Sequence, residues 1–209
     1  IFKLKIGLCG VEEDVRHVLA IKKALGSSIS VRVDVNQAWT ELEAMRGIAL
    51  LQEGGIDLIE QPVAAHNRNA LKRLSDYFSV ALMADEAVLG PQNAFELAAG
   101  HYADVFAVKI NQAGGLRNAA LVGQMAALAG MGLYGGTVLD GAIGTLASAH
   151  VFSTYPELAF GTELFGPLLL TEEIMAEPLP YRNFMLHLPQ KPGLGIEVDK
   201  EKVYRLSKT

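Results

Sequence analysis

The chain has a single cysteine, Cys9, in 209 residues. An intramolecular disulfide needs two, so no disulfide framework holds this chain together, which fits a reducing compartment such as the cytoplasm. Basic runs are missing as well. Eighteen Lys plus Arg against 23 Asp plus Glu give a net charge of -5, and that balance lacks the positive footprint of a nucleic-acid binder. Residues 1–10 contain neither an apolar core nor a small-residue cleavage site, so no signal peptide is expected. Long apolar runs are scarce. The uncharged stretch 118–139 is interrupted by Gln124 and five glycines, which argues for a buried helix followed by a loop and strand and against a membrane span. Disorder is excluded too, since half of the residues are hydrophobic and 20% are charged.

What is present is a repeat of short β-rich runs and longer helical ones. Strands are expected at residues 2–6, 30–35, 57–61, 79–84, 105–110, 132–139 and 158–163. Between the first two, Val15, Val18, Leu19 and Lys22 fall at helical spacing, with Ile21 and Leu25 widening the apolar stripe. Residues 39–53, 68–77, 91–99 and 115–129 have similar patterns, and Gly26, Gly54, Gly55 and Gly130 stand where such helices should stop. Strands alternating with helices of this length indicate βαβ units and a parallel sheet.

Polar residues close the strands. Lys3 and Lys5, Asp34, Glu60, Asp85, Lys109 and Glu163 stand at or near strand ends, and the steps from Asp34 to Lys109 are 26, 25 and 24 residues. Charged side chains are almost never buried without partners. In a (β/α) barrel such ends converge on one mouth, where active sites lie. The alternative, an open Rossmann sheet, would need a G-x-G-x-x-G turn that the first strand lacks. An α/β barrel is therefore expected, although 209 residues fall short of the roughly 250 of a complete one.

Asp34, Glu60 and Asp85 end three successive strands that would lie about 4.8 Å apart. Three carboxylates together repel one another, and a hard divalent cation, Mg²⁺ or Mn²⁺, would resolve this; salt bridges to nearby lysines are the alternative. Lys3 and Lys5, two apart on one strand, share a face. Two adjacent ammonium groups should depress each other's pKa toward the range of a proton donor or acceptor. Lys109 can approach from across the mouth. A cation beside proton-transferring lysines suits chemistry at a carbon α to a carboxylate. Three carboxylates, one divalent cation and three charged lysines sum to about +2, a mouth that favours a dianion.

The motifs F-K-L-K-I-G (2–7), D-V-N-Q (34–37), I-E-Q-P (59–62), A-D-E (84–86), V-K-I-N-Q-A-G-G (108–115) and G-T-E-L-F-G-P-L-L-L-T-E-E-I (161–174) give the chain a family likeness along essentially its whole length. It resembles the muconate-lactonizing subgroup of the enolase superfamily, and within it the muconate cycloisomerases. The resemblance implies that Asp34, Glu60 and Asp85 hold the metal, usually Mn²⁺. It makes Lys5 the general acid/base, Lys3 its electrostatic partner, Lys109 the lysine of the opposite face and Glu163 a site residue near the substrate, with Asn36 and Glu86 in support. The implied reaction closes cis,cis-muconate, a small dicarboxylate, to muconolactone through an enolate that Lys5 protonates, in the catechol branch of the β-ketoadipate pathway.

The same resemblance implies that residues 1–176 form a barrel portion with seven strands and that 177–209 return toward an N-terminal α+β capping domain. By that likeness, the capping domain and the first barrel strand are expected to lie outside these 209 residues. The 209 residues alone are therefore expected to bind metal poorly and turn over slowly, and the full-length protein to be a homo-oligomer. Chloromuconate cycloisomerase, dipeptide epimerase or another acid/base enzyme of the subgroup shares the mouth residues. A non-catalytic metal or carboxylate binder is the alternative outside enzymes. His150 is expected on a helix, and Gly135-Gly136 in a loop needing positive φ.

Overall fold

The computed structural model describes residues 1–208. Six parallel strands form one sheet in sequence order: β1 (Phe2–Lys5), β2 (Val31–Asp34), β3 (Leu58–Glu60), β4 (Ala81–Ala84), β5 (Val105–Val108) and β6 (Gly132–Gly135). Each strand leads into a helix: α1 (Val11–Leu25), α2 (Glu41–Glu53), α3 (Arg68–Tyr77), α4 (Gly90–Ala99), the single-turn α5 (Ile110–Ala113) with α6 (Leu116–Leu128), and α7 (Ala142–Phe152). This is part of the wall of a parallel (β/α) barrel.

Local chemistry sets the helix ends. In α1, Glu12, Glu13 and Asp14 occupy the first turn and Lys22 and Lys23 the last, matching the helix dipole, and Gly26 stops it at φ 85°. Thr40 opens α2 with a capping box, its hydroxyl accepting from the Glu43 amide while the Glu43 carboxylate accepts from the Thr40 amide. Asn67 caps α3 by accepting from the Ala70 amide. The stretch checked as a membrane span divides into α6 and β6, and among the described residues no helix is long and apolar enough to cross a membrane.

The strand residues split by parity into two packing layers. Val31, Val33, Ile59, Leu82, Ala84, Phe106, Val108 and Leu133 join the helices in the larger apolar cluster. Leu58, Met83, Val105, Ala107 and Tyr134 form a separate, much smaller one on the other face, with Phe160 against it. The first layer lies between sheet and helices, and the second fills the barrel interior.

Among the described residues, six strands join the ladder. The seventh expected run, 158–163, makes a single parallel bridge between Gly135 and Thr162. The Gly135 amide donates to the Gly161 carbonyl and the Glu163 amide to the Gly135 carbonyl. Ala159 and Phe160 form a turn, closed by the Gly161 amide donating to the Leu158 carbonyl at 2.8 Å, and Gly161 itself sits at φ 77°. The sixth expected strand ends at Gly135, four residues early, because residues 136–140 turn into a loop tied by the Thr137 hydroxyl to Asp140. The tail forms a short hairpin, β7 (Tyr181–Arg182) and β8 (Met185–Leu186), then α8 (Lys200–Leu206). Met175, Leu179, Tyr181 and Leu186 pack it against Ala142 and Leu146 of α7.

Candidate active site

Register brings the charged residues together. Lys5 pairs with Asp34 across β1 and β2, and Asp34 with Glu60 across β2 and β3. Glu60 pairs with Met83, two residues before Asp85. All three carboxylates are buried, at 2%, 0% and 1% exposure for Asp34, Glu60 and Asp85. They meet at the C-terminal ends of the strands beside a cavity of about 760 Å³, whose lining includes Lys3, Lys5, Asp34, Lys109, Tyr134 and Glu163.

Each carboxylate is held by one lysine. Lys5 Nζ lies 2.6 Å from Asp34 Oδ2, Lys3 Nζ 2.9 Å from Glu60 Oε2 and Lys109 Nζ 2.6 Å from Asp85 Oδ2. Lys3 also reaches Glu163 at 2.8 Å. Lys5 donates to Asn36 Oδ1 at 2.7 Å, and Asn36 Nδ2 donates to Glu86 Oε1 at 3.2 Å. The nine residues singled out from the sequence therefore fall into three neighbouring groups, Lys5 with Asp34, Asn36 and Glu86, Lys3 with Glu60 and Glu163, and Lys109 with Asp85, and the charges of Asp34 and Asp85 act on Glu60.

The two lysines of β1 differ sharply. The Lys3 side chain is 18% exposed and that of Lys5 68%. The expectation that neighbouring ammonium groups would depress one another fails for Lys3, whose pKa is raised. Burial opposes its charge, but the Glu60 carboxylate, Tyr134 and Glu163 outweigh burial. Its partners are anions, while Lys5 turns to Asp34 and Asn36. Lys109 is raised likewise, burial being overcome chiefly by Asp85. Lys3 and Lys109 thus stay charged, and Lys5 has the exposed ammonium.

Glu60 carries the electrostatic strain. Burial first, with Asp34 and Asp85 adding to it, pushes its carboxyl up to about 8 despite Lys3. Its Oε1 is buried with no hydrogen-bond partner among the described residues. An orphaned oxygen in an all-carboxylate set fits a hard divalent cation. As the side chains stand, no three His, Cys, Asp or Glu residues among those described are grouped to hold an ion between them. The lysines occupy the carboxylates instead.

Three residues in or beside the site were not singled out from the sequence. Tyr134 lies under Lys3, whose Nζ is 5.1 Å from the ring centroid, and burial followed by Glu163 raises its phenol above the usual range. Arg32 lies two residues before Asp34 on the same face, donating to the Phe160 carbonyl at 2.6 Å. Its parity with Asp34 was a readable signal. Gln61, fully buried, is considered below.

The glycine pair also departs from expectation. Neither Gly135 nor Gly136 has positive φ. Space is what they provide: a Cβ on Gly136 would come within 2.9 Å of Lys109 Cε, and one on Gly135 within 2.6 Å of the Phe152 ring. The first keeps the path of the Lys109 side chain open. His150 lies in α7 as expected, with Nε2 3.4 Å from the Leu194 carbonyl.

Residues 1–203 match the family described as enolase C-terminal domain-like. Over 205 residues the chain is 60% identical to muconate cycloisomerase 1 of Acinetobacter baylyi, which covers 98% of this chain and 55% of that protein. It is 43% identical over 202 residues to a chloromuconate cycloisomerase of Pseudomonas sp. strain P51, covering 97% of this chain and 55% of that one. The solved structure of muconate cycloisomerase from Pseudomonas fluorescens superposes with a TM-score of 0.94 at 53% identity, over 98% of this chain and 56% of that one. The chain spans little more than half the length of the relatives it matches.

Proposed function

The chain belongs to the enolase C-terminal domain-like family, and we propose that it carries the catalytic mouth of a cycloisomerase that closes cis,cis-muconate to muconolactone. The observation that carries this reading is the network of Asp34, Glu60 and Asp85 on adjacent strand ends with a lysine on each. Its likeness at 60% identity to a muconate cycloisomerase supports the substrate.

Asp34, Glu60 and Asp85 would hold the divalent cation, Mn²⁺ or Mg²⁺. When bound, that ion supplies positive charge to the substrate carboxylate as electrons move toward it. Lys5 is placed to handle the proton: its ammonium is exposed to the cavity and oriented by Asn36 at 2.7 Å. One substrate carboxylate forms the new C–O bond at the distal alkene, the electron pair moves toward the other carboxylate, and Lys5 delivers a proton to the α-carbon. Lys3, fixed between Glu60 and Glu163, contributes charge and is not free to exchange a proton. Lys109 presents a second fixed charge beside Asp85. The positive balance of the mouth favours a dianionic substrate over a neutral one.

The test is loss of the ultraviolet absorbance of cis,cis-muconate on incubation with the full natural protein and Mn²⁺, with 3-chloromuconate and a dipeptide run in parallel. Turnover of muconate above both others is expected. Activity confined to the dipeptide would overturn the reading, and preference for chloromuconate would move the enzyme to the neighbouring specificity.

A further inference from the structure

Gln61 is the residue after Glu60, and its side chain is fully buried, at 0% exposure. A buried primary amide is costly unless its hydrogen bonds are met. Here they are met in an unusual direction. Oε1 accepts from two backbone amides of the next strand end, Asp85 at 2.9 Å and Ala87 at 3.1 Å. Nε2 donates to the Val63 carbonyl at 2.9 Å. The backbone of Gln61 adds two ties, its amide donating to the Met83 carbonyl and its carbonyl accepting from the Gln37 amide, both at 2.8 Å.

One residue therefore joins the ends of β2, β3 and β4, the three strands that present Asp34, Glu60 and Asp85. Its backbone sits at φ 35°, a conformation that L side chains rarely adopt, and the preceding strand end has the same feature at Asn36 and Gln37. Such conformations persist when the surroundings over-determine them, and they cluster at functional sites. The chemistry of the side chain is also specific. Two amides need one oxygen with two lone pairs, and the Val63 carbonyl needs a donor. Glutamine supplies both, methionine neither, and asparagine is one methylene shorter.

We propose that Gln61 is a positioning residue that clamps the turn carrying Asp85 against the end of β3, fixing the strand ends from which the three carboxylates would turn from their lysines to a divalent cation. This rests on the functional reading above. Gln61 touches neither the cavity nor the reacting atoms. It acts through the Asp85 and Ala87 amides, and Asp85 is then trimmed by Lys109 and by Gln112 Nε2 at 3.2 Å. Loss of an outer partner that orients metal ligands typically costs about 10–100-fold in metal affinity.

The test compares Gln61→Met with Tyr155→Phe in the full natural protein. Tyr155 makes a buried hydrogen bond to the Ala119 carbonyl at 2.7 Å in the outer layer, so its loss tests stability without touching the strand ends. Both variants are expected to lower the thermal midpoint. Only Gln61→Met is expected to weaken Mn²⁺ binding, by at least about 10-fold in a titration followed by the Mn²⁺ electron spin resonance signal. Equal Mn²⁺ affinity in Gln61→Met and unaltered protein would overturn the proposal. Hydrogen exchange in the unaltered protein provides a second arm that does not depend on the variant folding. The Asp85 and Ala87 amides should exchange as slowly as that of Leu82 in β4, and exchange at the rate of an exposed turn would overturn the clamp. If the unaltered protein binds no Mn²⁺, the functional reading falls, and the exchange of the two amides alone decides whether Gln61 clamps the turn.

Discussion

The two faces of the strand wall are built on opposite terms. The outer face meets the helices through Val31, Val33, Ile59, Leu82, Phe106 and Val108, a continuous apolar layer. The inner face has a small apolar floor of Leu58, Met83, Val105, Ala107 and Tyr134, and above it Asp34, Glu60 and Asp85 face Lys3, Lys5 and Lys109. Burying apolar area gives stability without direction. Burying charge costs free energy and yields geometry and reactivity. A strand of alternating parity lets one backbone serve both, with stability on one side and chemistry on the other.

This contrast can be broken by experiment, and the largest effect should come from the inner face. Lys5→Ala is expected to lower kcat on muconate by about 10²–10⁴-fold, the range of a lost general acid. With Mn²⁺ present the thermal midpoint should stay near its original value, because the Lys5 side chain is 68% exposed and the ion would neutralise the buried Asp34 in its place. Activity surviving this change would remove Lys5 from its role. The outer face should respond in the reverse way. Phe106→Ala, at a fully buried site, should cost about 3–5 kcal/mol of stability in urea unfolding. The folded fraction should keep its kcat.

The pH dependence of the metal-free protein sharpens the comparison further. Glu60 titrates at about 8 in the folded state against 4.5 ordinarily. Between those values the folded chain binds the proton more tightly than the unfolded one, so this group makes stability fall as pH rises from about 4.5 to about 8. Lys3, raised from 10.5, loses its contribution only at higher pH and adds no slope in this window. Unfolding at pH 5, 6, 7 and 8 should show a decline that Glu60→Gln flattens. Identical profiles for the two proteins would mean that the inner carboxylates are not strained. The smallest effect belongs to a helix end remote from both layers. Thr40→Ala removes the capping box of α2 and should cost about 1 kcal/mol, read as a shift of the unfolding midpoint, with activity unaltered.

The strand-helix alternation was legible because each strand and helix repeats an apolar period that burial enforces. The site residues were legible because charges recurred at the same phase of that repeat. Other features depended on neighbours distant in sequence. Residues 158–163 look like a strand by composition, but a turn at Ala159 and Phe160 followed by Gly161 at φ 77° leaves them one bridge. Gly135 and Gly136 suggested a turn, whereas the Phe152 ring and Lys109 chain explain them. Lys3 was read beside Lys5, and its real environment is Glu60, Glu163 and Tyr134. Gln61 stood in the I-E-Q-P motif, but its clamping contacts were not legible there, since the amides it accepts from lie 24 and 26 residues away.

By itself the sequence determined the parallel βα architecture, the parity that sorts apolar from charged residues along each strand, and the family. Those are properties of local periodicity and of motifs, and both are written in chain order. The tertiary structure decided which lysine holds which carboxylate, which ammonium stays exposed, and how three strand ends are tied through one buried amide. Such outcomes depend on the balance of desolvation against charge and hydrogen bonding at each atom, and that balance exists only once segments about 25 residues apart in the sequence are brought side by side.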